Sequence, residues 1–332
     1  LPWGEAGNDA LSFHNPLSSV SQLFHGIAAA SVLPADRPLH LAVGMFDGVH
    51  IGHRAVLDAA VLAARRTGGV SAALTFSPHP SHLFRPEDPV RLIMEDSAKI
   101  VALHGLGMDA VIVQPFDPAF AAIEAEELIP HLRRHLPRLA AIYVGENWRF
   151  GRGRRGDIQM LVTEARKHGV HVVSAPRINQ DGEPISSTRI RAALADGRID
   201  EVNTLLGSAY ATVGVVTPGK RLGRTIGFPT LNLPWGGTLA PRLGVYVARI
   251  SSADGAEGRP AVMNFGLRPT VEQSTAPRLE IHLLGEACPF GPGDRLRVEW
   301  LHFLRPERAF AGVDELRAAI AADRDAAVAW FA

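Results

Sequence analysis

The sequence predicts an α/β unit followed by an all-β unit, and three observations carry that reading. The first two-thirds of the chain alternate short apolar runs with amphipathic stretches. Strands and helices alternating at this spacing imply a parallel sheet with helices on both faces. The next stretch consists of short runs broken by glycine and proline, as expected of a small antiparallel barrel or sandwich. The tail, VDELRAAIAADRDAAVAWFA, has the spacing of one amphipathic helix.

The elements follow in order. LHLAVGMF reads as a strand and HRAVLDAAVLAARR as the next helix, with Val56, Ala59, Ala60 and Ala63 at helical spacing and Thr67-Gly68-Gly69 as its stop. VSAALTF is the second strand, and FSPHPSH a turn behind it. AVIVQPF, AAIYVG and HVVSAP are further buried strands. SSTRIRAALADG reads as a capped helix, with Ser186 or Ser187 as N-cap and Gly197 as stop. Beyond Leu206 come TVGVV, TIGFPTLNL, GVYVARI, PAVMNFG, LEIHLL and LRVEWLHFL, the short strands of the second unit. There is no repeat and no low-complexity linker, so the boundary falls near LLGSAY as a short connection. The opening LPWGEAGNDALSFHNPLSS lacks a basic cluster followed by an apolar core; it reads as a loosely ordered extension, not a signal peptide.

Composition narrows the function. At 332 residues the chain has room for two cores. Its 34 basic and 34 acidic residues balance, which argues against nucleic acid as a partner. No apolar run approaches the roughly 18 residues of a membrane-spanning helix. The single cysteine, Cys288, excludes an intramolecular disulfide and a cysteine-rich zinc module, and it fits a cytoplasmic location.

GMFDGVHIGH, Gly44 to His53, ends the first strand with glycines that let a ligand approach the backbone. The helix start behind it favours an anion, which His50 and His53, three residues apart, can both reach. Asp47, His50 and His53 are also spaced to meet one cation, although a closed site would want a further ligand. A plain turn is the third reading. TFSPHP, VGENWRFGRGRRG and ISSTRIR then place polar, glycine- or arginine-bearing segments at later strand ends, where open α/β sheets bind ligands. Together they favour a phosphate-rich ligand.

In the second unit, GVVTPGKR has phosphate-loop spacing, but Arg221 stands where a serine or threonine should bind Mg2+, and glycine-rich sequence follows. GRTIGFPTLNL is the better signal, because Thr230 and Asn232 offer hard oxygen ligands. Glu280 in LEIHLL is a carboxylate on an otherwise apolar strand.

Taken together, GMFDGVHIGH, TFSPHP, VGENWRFG and ISSTRIR resemble the HxGH-type nucleotidyltransferases. With GFPTLNL, GVYVARI, NFGLRPT, LEIHLL and FLRPERAF behind them, they resemble bacterial bifunctional riboflavin kinase/FAD synthetase. The resemblance runs from about Pro38 to the C-terminus. It implies an extension over 1–37, a Rossmann-like adenylyltransferase domain over 38–205, and a kinase domain over 206–332, a six-stranded barrel with a C-terminal helix. Riboflavin, FMN and ATP are the implied substrates, with Mg2+ as cofactor and neither nucleic acid nor membrane as partner.

For adenylyl transfer the resemblance implies ATP contacts at Gly44, Phe46, Asp47, Gly48, His50, Gly52, His53, Asn147, Ser186, Ser187, Thr188 and Arg191. His50, His53, Arg189 and Arg191 would be catalytic, and Pro78, His79, Asn147, Phe150 and Arg305 would meet flavin. For the kinase it implies ATP contacts at Gly223, Arg224, Gly227, Pro229, Thr230 and Asn232, Mg2+ on Thr230 and Asn232, and Glu280 as base. Trp148 stands where the family more often has Phe, and Leu231 where it usually has Ala. An adenylyltransferase with a degenerate barrel, or a flavin carrier without turnover, would have no need of Thr230, Asn232 and Glu280 together with His50, His53 and Arg191.

Overall fold

The computed structural model describes residues 21–219, 227–253, 255, 257–267, 277–285 and 288–332. Six strands form the first sheet: β1 (Gln22–His25), β2 (Leu39–Val43), β3 (Val70–Ser77), β4 (Ala110–Pro115), β5 (Leu139–Gly145) and β6 (His171–Ala175). Their order is β1-β4-β3-β2-β5-β6 and every pairing is parallel. The chain runs outward from β2 through β3 to β4, then crosses back to β5 on the other side of β2. That reversal opens a crevice at the carboxyl ends of β2 and β5.

The stretch expected to be loosely ordered, LPWGEAGNDALSFHNPLSS, lies outside the described residues, and the rest of the 1–37 extension contributes the opening strand. Gln22–His25 pairs in register with Ala110–Val113 and covers the outer edge of β4. Most of β1 is exposed, so its place depends on backbone hydrogen bonds, which leave no hydrophobic pattern to read.

Helices cover both faces. The long ones are α1 (Ile51–Thr67) and, after the one-turn α2 (Ser81–Phe84), α3 (Asp96–Gly105). After the one-turn α4 (Pro118–Ala121) come α5 (Leu128–His135) and α6 (Ile158–Lys167). Neighbouring residues of β2 serve opposite cores, as the two-residue period of a strand requires. Leu39, Leu41 and Val43 pack with Ile129, Leu132 and Leu161 of α5 and α6. Ala42 packs with Val56, Leu57 and Ala60 of α1.

A small hairpin, β7 (Asn179–Gln180) and β8 (Glu183–Pro184), leads into α7 (Ser187–Asp196) and α8 (Ile199–Leu206). The second sheet holds β9 (Tyr210–Val215), β10 (Leu231–Pro234), β11 (Gly244–Ser252), β12 (Arg259–Gly266), β13 (Arg278–Leu283) and β14 (Arg295–Pro306). Its order is β10-β13-β12-β11-β14-β9, all antiparallel. A bridge from Thr217 to Asn232 joins the two edges, so the sheet closes as a six-stranded barrel. Trp300, Tyr246 and Phe265 fill its centre, with ring centroids 4.8 and 5.2 Å from Trp300. The terminal helix α9 (Val313–Phe331) covers part of the outer face through Ala327 and Phe331, packed near Val245, Val247 and Val262.

The two units share one core, which contains Ile190, Leu194, Val202 and Leu205 of α7 and α8 as well as the barrel's inward residues. Asn203 fastens the connection, donating to Trp300 O at 2.9 Å and accepting from Tyr210 N at 2.7 Å. The short connection read from LLGSAY is thus a packed joint.

Candidate active sites

The loop between β2 and α1 lies at the crevice. Its backbone is strained, with φ of 50° at Phe46, 86° at Gly48 and 42° at Val49. Left-handed φ at a β-branched residue such as Val49 is rare, and strain of this kind gathers at functional sites. Gly44 is required by close approach, since a Cβ there would lie 2.9 Å from the Phe46 ring. Gly52 leaves the space over which the His50 ring folds, a Cβ there meeting it at 3.2 Å.

His50 is the N-cap of α1, its Nδ1 accepting from His53 N at 3.2 Å. That bond puts the proton of the neutral ring on Nε2. The His50 and His53 rings stack at 3.6 Å, and Phe46 closes against His53 edge-on at 5.4 Å. Burial lowers the His50 pKa to about 4, with the Arg191 charge adding to it. His53 is held well below its ordinary value by burial, then by His50, Arg191 and Lys99. Both rings are therefore neutral at neutral pH. His53 Nδ1 is buried and meets no hydrogen-bond partner among the described residues.

Asp47 joins several segments of the crevice. Its carboxylate accepts from Ile93 N at 3.0 Å, from Met94 N at 3.3 Å and from Arg191 Nη2 at 2.6 Å. Its carbonyl accepts from Ser187 Oγ at 2.9 Å. The cation read into Asp47, His50 and His53 is thus supplied to Asp47 by the Arg191 guanidinium. Among the described residues no three His, Cys, Asp or Glu side chains gather as a metal site. Ser186 caps α7, accepting from Arg189 N at 3.2 Å, and Thr188 is exposed at the same helix start. Arg189 also has structural partners. It spends Nε on Glu201 at 2.8 Å and Nη1 on the carbonyl of Gln180 at 2.8 Å, pinning the β7-β8 hairpin to α8.

Two cavities open here, and Asn147 lines both. One is a polar cleft that also includes Arg177, Ser186 and Arg189. The other, about 440 Å³, lies at the strand ends, where Met45, Phe76, Phe84, Phe116, Phe120, Trp148 and Phe150 line it. Its size and apolar lining suit a flat aromatic ligand. Trp148 stacks on Phe150 at 4.8 Å, so an aromatic face is kept at that position. Of the residues expected to meet flavin, Asn147 and Phe150 line this cavity, and Pro80 lines it beside His79 in sequence. Burial lowers the His79 pKa to about 4, with the charge of Arg191 assisting.

The sequence reading missed Phe76, Phe84, Phe116 and Phe120. Phe76 ends β3 and Phe116 follows β4, so their strand-end positions were the available signal. It also missed Lys99, a buried lysine paired with Asp96 at 2.8 Å. Asp96 in turn accepts from Ser77 at the end of β3.

The barrel carries a different arrangement. Leu279, Ile281 and Leu283 of β13 face the core, which turns Glu280 to the outer face. Cross-strand register sets Asn232, Glu280, Asn264, Val245 and Arg305 in one row over five strands. Neighbours in such a row stand about 5 Å apart. Asn232 is buried, and a Cβ at Gly219 would lie 2.4 Å from its Nδ2. Thr230, Pro229 and Gly227 are exposed just before β10, and Pro229 O bonds His282 Nδ1 at 2.9 Å. Leu231 points into the core beside Leu233 and anchors the strand between Thr230 and Asn232. Arg305, expected as a flavin contact, turns one edge of its guanidinium to Asp323 of α9, with Nε at 2.8 Å and Nη2 at 2.7 Å, and Nη1 to the Pro306 carbonyl at 3.1 Å. Gly223 and Arg224, and Arg221 of the phosphate-loop decoy, lie outside the described residues.

Residues 33–189 match the FAD synthetase family and residues 206–331 the riboflavin kinase family. A bifunctional riboflavin kinase/FMN adenylyltransferase of Escherichia coli K12 is 36% identical over 311 residues, covering 93% of this chain and 98% of its own length. The Bacillus subtilis protein of the same description is 32% identical over 296 residues, 88% of this chain and 92% of its own. A crystal structure from Streptococcus pneumoniae, described as a macrolide-efflux protein, superposes with a TM-score of 0.80 at 25% identity. It covers 91% of this chain and 97% of its own. Two matched units in this order, and identity along nearly the whole length, make the chain a member of the bifunctional riboflavin kinase/FMN adenylyltransferase family.

Proposed function

We propose that the two reactions of this enzyme divide between the two sites, adenylyl transfer at the crevice and riboflavin phosphorylation on the barrel's polar row. One observation carries the division: Asn147 joins a polar cleft to an aromatic cavity, as a site that aligns ATP with FMN requires. On this reading the flavin ring lies among Phe76, Phe116, Phe120 and Phe150, and its phosphate reaches toward His50 and His53.

An FMN phosphate oxygen attacks the α-phosphorus of ATP, the bond to the bridging oxygen breaks, and pyrophosphate leaves. The nucleophile is already ionised, so no base is needed. Neutral His50 and His53 act as hydrogen-bond donors, and positive charge comes from Arg191, Lys99 and the start of α1. The strained loop holds these groups before substrate arrives, which is where rate is gained.

In the kinase, the terminal ribityl hydroxyl of riboflavin attacks the γ-phosphorus, its proton passes to Glu280, and ADP leaves. Thr230 and Asn232, with Pro229 and Gly227 beside them, are the ATP side of that site. Mg2+ usually keeps one or two protein oxygens and takes the rest from phosphate and water, which the Thr230 and Asn232 pair suits. When bound with ATP it would neutralise phosphate charge. We also infer domains over 38–205 and 206–332, and a cytoplasmic location, which the single cysteine supports.

Purified protein supplied with riboflavin, ATP and Mg2+ tests the division, with products separated by chromatography. Glu280→Ala is expected to abolish FMN formation and spare FAD formation from added FMN. His53→Ala should do the reverse. Loss of both activities in either folded variant would overturn the two-site division.

A further inference from the structure

Residues 91–95 form no helix or strand, yet they touch both units. On one side Leu92 meets Thr238, in the barrel loop after β10. Thr238 Oγ1 accepts from Leu92 N at 2.8 Å and faces Leu92 O at 3.5 Å. Glu95 lies against Gly236 of the same loop, where a Cβ would stand 3.3 Å from its carboxylate. On the other side the strap braces the transfer loop. Arg91 O accepts from Arg191 Nε at 2.9 Å, and Ile93 N and Met94 N donate to the Asp47 carboxylate that holds Arg191 Nη2. The Ile93 side chain belongs to the shared barrel core and packs 3.1 Å from the Cβ position of Gly48.

We propose that Thr238 of the kinase unit is a positioning residue for adenylyl transfer, fixing Arg191 and Asp47 through the 91–94 strap. An irregular segment has no ladder of its own to set its place, so side contacts decide it. The path from Thr238 to Arg191 runs through one backbone step and two hydrogen bonds: Thr238 to Leu92, the chain to Arg91, and Arg91 O to Arg191. The same loop leaves β10 just after Asn232, so the two sites share one scaffold at this point. The hydroxyl is the active part, because the apolar contact of Ile93 with the barrel is independent of it.

The proposal rests on the crevice being the adenylyl-transfer site, and His53→Ala tests that separately. Thr238→Val in the full-length enzyme is expected to lower kcat/KM for FAD formation about three- to tenfold, the range of one hydrogen bond. Riboflavin phosphorylation should stay within about twofold and Thr238→Ser should restore the loss. In an Arg191→Ala background Thr238→Val should add nothing further, since both act through one group. An undiminished FAD rate, an equal fall in both activities, failure of Ser to rescue, or an additive loss with Arg191→Ala would each overturn the proposal. If His53→Ala keeps full adenylyl transfer, the site reading itself fails and the proposal with it.

Discussion

On the proposed assignment, the crevice and the polar row solve the same problem, bringing a nucleophile to a phosphorus of ATP, with opposite materials. At the crevice the groups are enclosed: His50 and Asp47 are 6% and 3% exposed, the loop is strained, and the charges are tied down before substrate binds. On the barrel Asn232, Glu280 and Asn264 stand side by side on regular strands, and Thr230, Pro229 and Gly227 are exposed. The nucleophiles account for the difference. A phosphate needs alignment and charge, which a rigid dry pocket supplies. A hydroxyl needs a carboxylate able to take its proton, the role proposed for Glu280, half-buried on the outer face of β13.

The strongest way to break this comparison is to exchange the losses. Glu280→Ala and His53→Ala should each cost about 10³-fold in their own reaction, within the range for general acid–base and electrostatic groups. Each should leave the other reaction near wild type, measured with riboflavin and with added FMN separately. A smaller test stays inside the crevice. Asp47→Asn removes the charge partner of Arg191 while keeping hydrogen-bond acceptors for Ile93 and Met94. We expect about a 100-fold loss in FAD formation, and the kinase unchanged. A loss no greater than about threefold would mean that the arginine is held well enough by Arg91 O alone.

On the barrel, Leu231→Ala should destabilise by about 2–3 kcal/mol, since a buried leucine is cut back in a packed core. Denaturant unfolding measures it. Because Leu231 faces inward while Asn232 faces the row, KM for riboflavin should change little if the strand keeps its register. In the aromatic cavity, Phe120→Ala should raise KM for FMN about tenfold by removing one stacking wall, and leave KM for riboflavin unchanged.

The contrast also explains what the sequence disclosed. Strands and helices of the parallel sheet were legible because β2 to β6 are short apolar runs followed by periodic helices, and α1 carried its own stop at Gly68. The row on the barrel was legible only as separate letters. Glu280 stood out as a carboxylate among apolar residues, but its neighbours Asn232 and Asn264 come from strands far away in sequence, and register has no local signal. Asp47 and Arg189 illustrate the converse. Both lie in motifs that mark a site, yet their partners, Arg191 with the 93–94 backbone and Glu201 with the hairpin, are fixed by tertiary packing. The aromatic cavity was missed because Phe76, Phe116 and Phe120 sit on three segments, each reading as ordinary core.

The smallest effect separates the two sites by pH. Burial holds His50 at a pKa of about 4, against an ordinary value near 6.5, and pushes His53 the same way. Between those two values the unfolded chain binds a proton that the folded chain rejects, so stability must fall as pH falls through that window. One such group contributes a slope of at most about 1.4 kcal/mol per pH unit. His50→Asn removes the titration yet keeps a side chain able to cap α1. Its melting temperature should therefore decline less steeply than that of wild type from pH 6.5 to 4.5. An equal slope in wild type and His50→Asn would mean that the crevice is wetter than its packing indicates, and the contrast between an enclosed and an open site would lose its physical basis.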